Sequence, residues 1–355
     1  MKVLFLYRYG ILGGVCTQLF HRLRHLPKSS NLEIHCGFRS DHGVKAMLGG
    51  YATLHFGLNK ETTTAFLQNN NFDIIIIIDT EEYIDAVEEA DIDSKVLVEV
   101  HTSIERNLEY LTRINPDVID GFVTVSNYMV GRIKHHISDE LQDKPISIFT
   151  NVLDSDLFSN ISVDVDGPPI IGWVGKIDDH KDWRAFMQIS KIVSQEHSGA
   201  EFWIIGGQTC PENKVQEVFD FAEEMGIISR FRWIDRIENV KMSSLYSLIA
   251  KRGGLSLVTS HCESFGMSVL ESLLSGCPVV STNVGALPEI IPESSYFQLY
   301  ELADHQNGAQ KAIEIIEKSS NINQELQSIR DELITKYDSS MRSIDYWNML
   351  QEMVK

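Results

Sequence analysis

Glu263 and Glu271 stand eight positions apart in the segment Glu263-Ser264-Phe265-Gly266-Met267-Ser268-Val269-Leu270-Glu271. An apolar run over 255–258 leads into it, and helical periodicity starts near Phe265, with Leu270, Leu273 and Leu274 on one face. Gly276 and Pro278 then end the helix, as a glycine past the last turn followed by a proline does. Glu263 thus belongs to the entry loop and Glu271 to the helix about two turns further on. At ~1.5 Å per residue the two acids are roughly 12 Å apart along the axis, enough to reach two ends of one ligand. The amides of Phe265, Gly266 and Met267 fall at the helix start, where backbone donors and the helix dipole favour an anion. The plainer alternative is an acid placed near a helix start because it is favoured there, with Glu271 solvated.

Three other turns carry residues of the same kind. Lys176 and Lys181, five positions apart and next to the strand-end Gly175, could flank a diphosphate; otherwise they are two solvated lysines. Neutralising a departing diphosphate is the main electrostatic task in a transfer reaction that uses no metal. The turn Tyr9-Gly10-Ile11-Leu12-Gly13-Gly14-Val15 would let backbone approach a phosphate closely, or else is a tight turn needing positive φ. It matches neither of the familiar glycine-rich phosphate motifs. His101, followed by Thr102 and Ser103, closes a strand; a lone histidine is more often structural, but this one stands where open α/β sheets bind ligands.

The elements that must position these turns alternate between short apolar runs and helical patterns. Strands are expected over 3–7, 32–38, 52–56, 73–78, 96–101, 122–125 and 146–149, with helices such as 17–26, 60–68 and 127–136 between them. Most of the strands are continuously apolar, as parallel strands covered on both faces must be. The polar segment 155–169, ending Gly-Pro-Pro, reads as a linker. The rhythm then restarts with strands over 170–174, 201–205, 231–234, 255–258 and 278–281, and helices from 183, over 214–225 and from about 265. The expected fold class is α/β, with two Rossmann-like βαβ domains facing each other across a cleft. The expected domains are 1–160, 161–335 and a C-terminal amphipathic helix, 336–355, that could cross back onto the first.

Composition bounds the partners. The chain has 355 residues, long enough for two domains, and 31 basic against 50 acidic residues give a net charge of −19. That charge repels phosphate backbones and argues against nucleic acid as a general partner. Five scattered cysteines without C-x-x-C spacing argue against a disulfide framework or zinc site and point to a reducing cytoplasm. The start of the chain lacks the long apolar run of a signal peptide, and no stretch approaches the roughly 20 apolar residues of a membrane span.

These residues together resemble the retaining glycosyltransferases of the GT-B fold, specifically glycosyltransferase family 4. The E-x7-E segment and the following Ser275-Gly276-Cys277-Pro278-Val279-Val280-Ser281-Thr282-Asn283-Val284-Gly285-Ala286-Leu287-Pro288-Glu289 carry the resemblance most specifically. The Gly13-Gly14 loop, His101, the segments 125–129 and 150–158, and Gly175-Lys176 with Lys181 occur in the family's order. The resemblance implies sugar transfer from a nucleotide-diphosphate sugar, with a UDP-sugar ahead of a GDP-sugar. It implies no cofactor, no metal and retention at the anomeric carbon. Glu263 would bind donor-sugar hydroxyls and Glu271 the ribose. Lys176 and Lys181 would neutralise the diphosphate, and His101 would lie beside the sugar. Gly13, Gly14, Gly175, Ser264, Phe265, Gly266, Met267 and Ser268 would complete the donor site. Lysine at 176, where the family more often has arginine, keeps the charge without the bidentate fork; Val152 stands where glycine is usual, and Ser272 where alanine is common.

The acceptor would be a sugar, a lipid-linked compound or another small molecule. Two rival readings are a nucleotide-sugar epimerase and a non-catalytic nucleotide-sugar-binding subunit on the same architecture. The basic run His21-Arg22-Leu23-Arg24-His25-Leu26-Pro27-Lys28 is either a solvated helix end or a patch touching anionic lipid. The expected location is the cytoplasm, with peripheral contact to the inner face of the membrane as a variant.

Overall fold

The computed structural model describes residues 1–26, 32–162, 164–207, 210–318 and 323–354. The chain forms two compact units, Met1–Leu153 with Tyr337–Lys355, and Asp154–Lys336. Each is an α/β unit on an all-parallel sheet, the fold class the apolar runs imply.

In the first unit the strands are β1 Lys2–Tyr7, β2 Glu33–Gly37, β3 Thr53–His55, β4 Ile74–Ile78, β5 Lys95–Val100, β6 Gly121–Thr124 and β7 Ile146–Ile148. Their order is β3-β2-β1-β4-β5-β6-β7, with Phe5 opposite Cys36 on one side and Ile76 on the other. All five isoleucines of β4 are fully buried, which is why that strand is apolar at every position. Local signals start the helices between strands: Asn59 and Thr62 form a reciprocal capping box at Lys60–Gln68, and the Ser126 hydroxyl accepts from the Met129 amide at 3.2 Å to open Asn127–His136. The core gathers Val3, Phe5, Leu19, Ile76, Tyr346 and Trp347.

The last two of those residues come from helix Ser339–Val354. The chain leaves and re-enters this unit side by side, with Leu153 N donating to Tyr337 O and Ser339 N to Leu153 O, both at 2.9 Å. Val152 is locked by the Gln18 side-chain amide, which donates to its carbonyl at 3.0 Å and accepts from its N–H at 2.8 Å.

In the second unit the strands are β8 Ile170–Val174, β9 Glu201–Ile205, β10 Phe231–Ile234, β11 Leu255–Val258, β12 Val279–Thr282 and β13 Phe297–Tyr300, in the order β10-β9-β8-β11-β12-β13. Trp173, Trp183, Phe186, Phe202 and Ile204 fill its core, together with Ile315 of helix His305–Lys318.

Two local expectations need correction. The segment 155–169 is not a free linker over its first part. Phe158 is fully buried, and the Ser159 and Ile161 amides donate to the Ser243 and Ser247 hydroxyls at 3.2 and 3.0 Å, on helix Met242–Lys251. An apolar ring and two serines facing two amides explain why a polar sequence packs here. The basic run 21–28 is not a solvated helix end throughout, because His21 and Arg22 are buried; Pro27 and Lys28 lie outside the described residues. No helix among the described residues is long and apolar enough to cross a membrane.

Trp347→Ala should weaken the first unit by about 3–5 kcal/mol, the usual cost of deleting a buried aromatic side chain. Urea unfolding followed by near-UV circular dichroism would read this, and an unchanged midpoint would place Trp347 outside that core.

Candidate functional site

In both sheets the strand order reverses at one place: between β1 and β4 in the first unit, and between β8 and β11 in the second. Crossovers leaving that point run to opposite faces, so the turns at the carboxyl ends of the two strands splay and open a crevice. Every turn that the sequence singled out follows a strand at or next to one of these points.

In the second unit the turn after β8 carries Gly175, Lys176 and Lys181, and the turn after β11 carries Glu263 and Ser264. The two turns are bonded to each other. Trp173 Nε1 donates to the Thr259 hydroxyl at 2.9 Å, and that hydroxyl lies 2.8 Å from the carbonyls of Lys181 and Asp182. His261 N donates to His180 O at 2.9 Å, and the His261 ring meets the Asp182 carboxylate at 2.9 Å. Asp182, at φ +48, also caps helix Trp183–Glu196 by accepting from Ala185 N at 3.0 Å.

On this frame Lys181 Nζ bonds Glu263 Oε1 at 2.5 Å, and the Ser260 hydroxyl donates to the same oxygen at 2.6 Å. Burial alone would raise the Glu263 carboxyl; the Lys181 charge and its hydrogen bond, helped by Ser260, hold it below the usual carboxylate range. Burial, and then the charge of Lys181, lower His180. Lys176 is exposed and forms no ion pair among the described residues. The backbone around Gly175 is crowded. A Cβ on Gly206, which sits at φ +111, would stand 2.4 Å from the Gly175 carbonyl oxygen.

Helix Met267–Leu274 starts at Gly266, whose φ of +112 calls for glycine; a Cβ there would also stand 2.5 Å from Leu287 Cδ2 and force that side chain to shift. Its first turn is closed by the Val269 and Leu270 amides, which donate to the Gly266 carbonyl at 3.1 and 3.2 Å, and the helix dipole points its positive end at this start. The Phe265 ring is buried, while Ser264, Met267 and Ser268 are half-buried. One helical turn on, Glu271 is buried with Tyr246 OH donating to Oε2 at 3.4 Å. Burial pushes its carboxyl up to about 8, and the tyrosine offsets this only in part. The two glutamates therefore hold different charge states at neutral pH, Glu263 ionised and Glu271 protonated. Glu271 is not the solvated residue that the plainer reading of the segment supposes.

In the first unit Gly13 and Gly14 open helix Gly14–Arg24. Gly13 has φ −157, Gly14 is not among the positive-φ residues, and a Cβ on Gly14 would meet nothing within 4 Å. The fold itself does not require these glycines, so the tight-turn alternative falls. His101 follows β5 and is anchored twice. Its backbone N–H donates to Asp79 Oδ1 at 3.0 Å, and Nε2 lies 2.7 Å from Glu99 Oε1. Glu99, fully buried, also pairs with Arg22 Nη1 at 2.5 Å and accepts from Tyr346 OH at 3.3 Å. Burial opposes its ionisation, but Arg22 and then His101 bring the carboxyl down to about 2. Asp79, at φ +43, goes the other way: burial lifts it to about 6.

The structure thus brings Lys181, Glu263 and Ser260 together, and His101, Glu99 and Arg22 together. The sequence reading missed Asp79, Glu99, Ser260, Asp182, Tyr246 and Gly285. A signal existed for Glu99, a lone acid inside an apolar parallel strand. None existed for Gly285, whose φ of +58 and Cβ position, 2.2 Å from the Glu263 carbonyl oxygen, only the folded chain reveals. Among the described residues no cluster of three or more His, Cys, Asp or Glu side chains could hold a metal ion.

Residues 154–328, within the second unit, match the family model for glycosyl transferases group 1. The chain is 24% identical over 185 residues to a 2-deoxystreptamine N-acetyl-D-glucosaminyltransferase of Niallia circulans, a match covering 52% of this chain and 46% of that protein. The chain spans less than half the length of the curated relatives it matches. In structure it is similar to Anabaena Alr3699/HepE in complex with UDP and glucose, with a TM-score of 0.83 at 16% identity, covering 99% of this chain and 100% of that one. Sucrose-phosphate synthase from Thermosynechococcus elongatus gives a TM-score of 0.80 at 12% identity, covering 99% and 98%. The architecture is the GT-B fold, and the match to the group 1 glycosyl transferase model falls on the second unit.

A buried acid raised from 4.5 to about 8 favours the fold in its protonated form. That contribution is complete below about 4.5 and is lost as pH climbs through about 8. The stability of the protein relative to its Glu271→Gln variant should therefore fall across that window in urea titrations. A flat difference would mean that Glu271 is ionised in the fold.

Proposed function

We propose that the chain is a retaining glycosyltransferase that moves a sugar from a UDP-sugar to a hydroxyl acceptor without a metal ion. The observation that carries this is the junction of two turns at the second sheet's switch point. An ionised glutamate and a lysine are held there beside a helix start, inside the segment that matches the group 1 family. The UDP assignment leans on the Anabaena neighbour, which holds UDP and glucose.

In this reading Glu263 accepts hydrogen bonds from donor-sugar hydroxyls. A carboxylate kept ionised by Lys181 is an acceptor ready for that task, and the sugar would share or replace the lysine contact. Glu271, protonated, can both donate to and accept from a ribose hydroxyl pair. Lys176, exposed and without an ion pair among the described residues, together with Lys181 and the amides from Ser264 to Ser268, would neutralise the diphosphate. Gly175 would keep the backbone clear of side chains there. His101 and the Gly13-Gly14 turn are proposed to serve the transfer step from the first unit.

The bond between the anomeric carbon and the phosphate oxygen breaks, and the nucleoside diphosphate departs with the electron pair. The acceptor hydroxyl attacks the same face, and its proton passes to the departing phosphate oxygen. The protein supplies orientation and charge stabilisation rather than a nucleophile.

Glu263→Ala should abolish transfer while leaving circular dichroism and melting behaviour of a folded protein; an active variant would refute the assignment. EDTA should leave the transfer rate unchanged, whereas strong inhibition would refute metal independence. In a thermal-shift screen of nucleotide-diphosphate sugars, a UDP-sugar at 100 times its Kd should stabilise the protein by about 2.7 kcal/mol. A response to GDP-sugars alone would overturn the choice of base.

A further inference from the structure

The cluster behind His101 invests more buried charge than a fold needs. Glu99 is the one acid in β5 and is fully buried, and Arg22 reaches it from helix Gly14–Arg24. Arg22 Nε and Nη2 have no hydrogen-bond partner among the described residues. The guanidinium instead faces the adjacent rings of Phe149 and Tyr346, at 4.9 and 4.7 Å from their centroids, which are 4.5 Å from each other. Of its polar atoms, Nη1 alone is used among the described residues, in the charge-assisted bond to Glu99, so the cation is directed at that one carboxylate. Replacing a buried ion pair by apolar residues of similar volume is often neutral or stabilising, so stability alone is a poor account of the group. What the three elements have in common is the Glu99 carboxylate. Arg22 and His101 share Oε1, and Tyr346 takes Oε2.

We propose that Glu99 is a positioning residue for His101: its carboxylate, held by Arg22 and Tyr346, keeps the hydrogen of the neutral imidazole on Nε2 and leaves Nδ1 as the acceptor. Which ring nitrogen of a histidine carries the hydrogen is set by the partner of the other, and an ionised carboxylate can only accept. The Asp79 carboxylate fixes the same residue from its backbone side, so ring and main chain are both clamped. Helix Ser339–Val354 enters the arrangement through Tyr346, which gives the C-terminal segment a role in the chemistry as well as in the core. This inference rests on the proposed part of His101 in sugar transfer.

The test is long-range proton–nitrogen NMR of the full chain labelled on histidine nitrogens, with the His101 signals assigned through His101→Asn. The wild-type neutral ring should be the Nε2–H tautomer; finding Nδ1–H there overturns the proposal with no variant at all. Glu99→Gln can accept or donate at that position, so it should give a mixture of tautomers, and a single unchanged Nε2–H form overturns the proposal. If Glu99→Gln does not fold, Glu99→Asp keeps the charge beside Arg22 but withdraws it from the ring, and the same mixture is expected. In transfer assays the variant should lose about 10–100-fold in kcat with the donor KM little changed, as when an outer partner that orients a histidine is removed. Full activity in His101→Asn would sink the role of His101 in transfer while the tautomer measurement still decides the part played by Glu99.

Discussion

A parallel sheet whose chain leaves its first strand in one direction and later returns to the other side must open a crevice where the order reverses. Everything functional in this molecule depends on that constraint. β1 and β4 flank one such point and β8 and β11 the other; Lys176, Lys181, Glu263 and His101 lie in turns at the carboxyl ends of these strands or of their next neighbour, β5, and Glu271 in the helix that one of these turns opens. The sheets are buried on both faces, so their strands can hold little but apolar side chains. Polar chemistry is pushed to the strand ends, where backbone amides and splayed loops are available.

Within the second unit the crevice is braced by polar bonds between its two turns. Thr259 and His261 on one side engage Lys181, Asp182 and His180 on the other, and the Lys181–Glu263 pair closes the set. The glycines around it follow from proximity: Gly206, Gly266 and Gly285 all have positive φ and would place a Cβ within 2.6 Å of a neighbouring atom. The same proximity separates the two glutamates electrostatically. One is buried beside an ammonium and stays charged; the other is buried beside a phenol and stays neutral. One spacing in sequence thus yields two acids with different abilities.

The first unit solves a related problem with buried charge. A carboxylate taken out of water is costly unless paired and hydrogen-bonded, and Glu99 is both, through Arg22, His101 and Tyr346. Asp79, one strand over, is buried without a cation of that quality and is lifted to about 6. Two acids, Glu99 within β5 and Asp79 in the turn just after β4, hold the ring and the main chain of one histidine.

The architecture was legible from residues alone because it follows from local patterns. Continuous apolar runs such as Ile74–Ile78 specify strands buried on both faces, and glycine-bearing turns and capping residues mark where helices begin. The E-x7-E spacing, the two lysines and His101 were legible for the same reason, since type and spacing are properties of the chain. Which groups meet was not. That Lys181 pairs with Glu263 across 82 positions, or that Arg22 is buried against Glu99 instead of facing solvent, depends on contacts between elements far apart in sequence. The charge states of Glu263, Glu271, Asp79 and Glu99 are likewise set by burial and neighbours, and those exist only once the chain has folded.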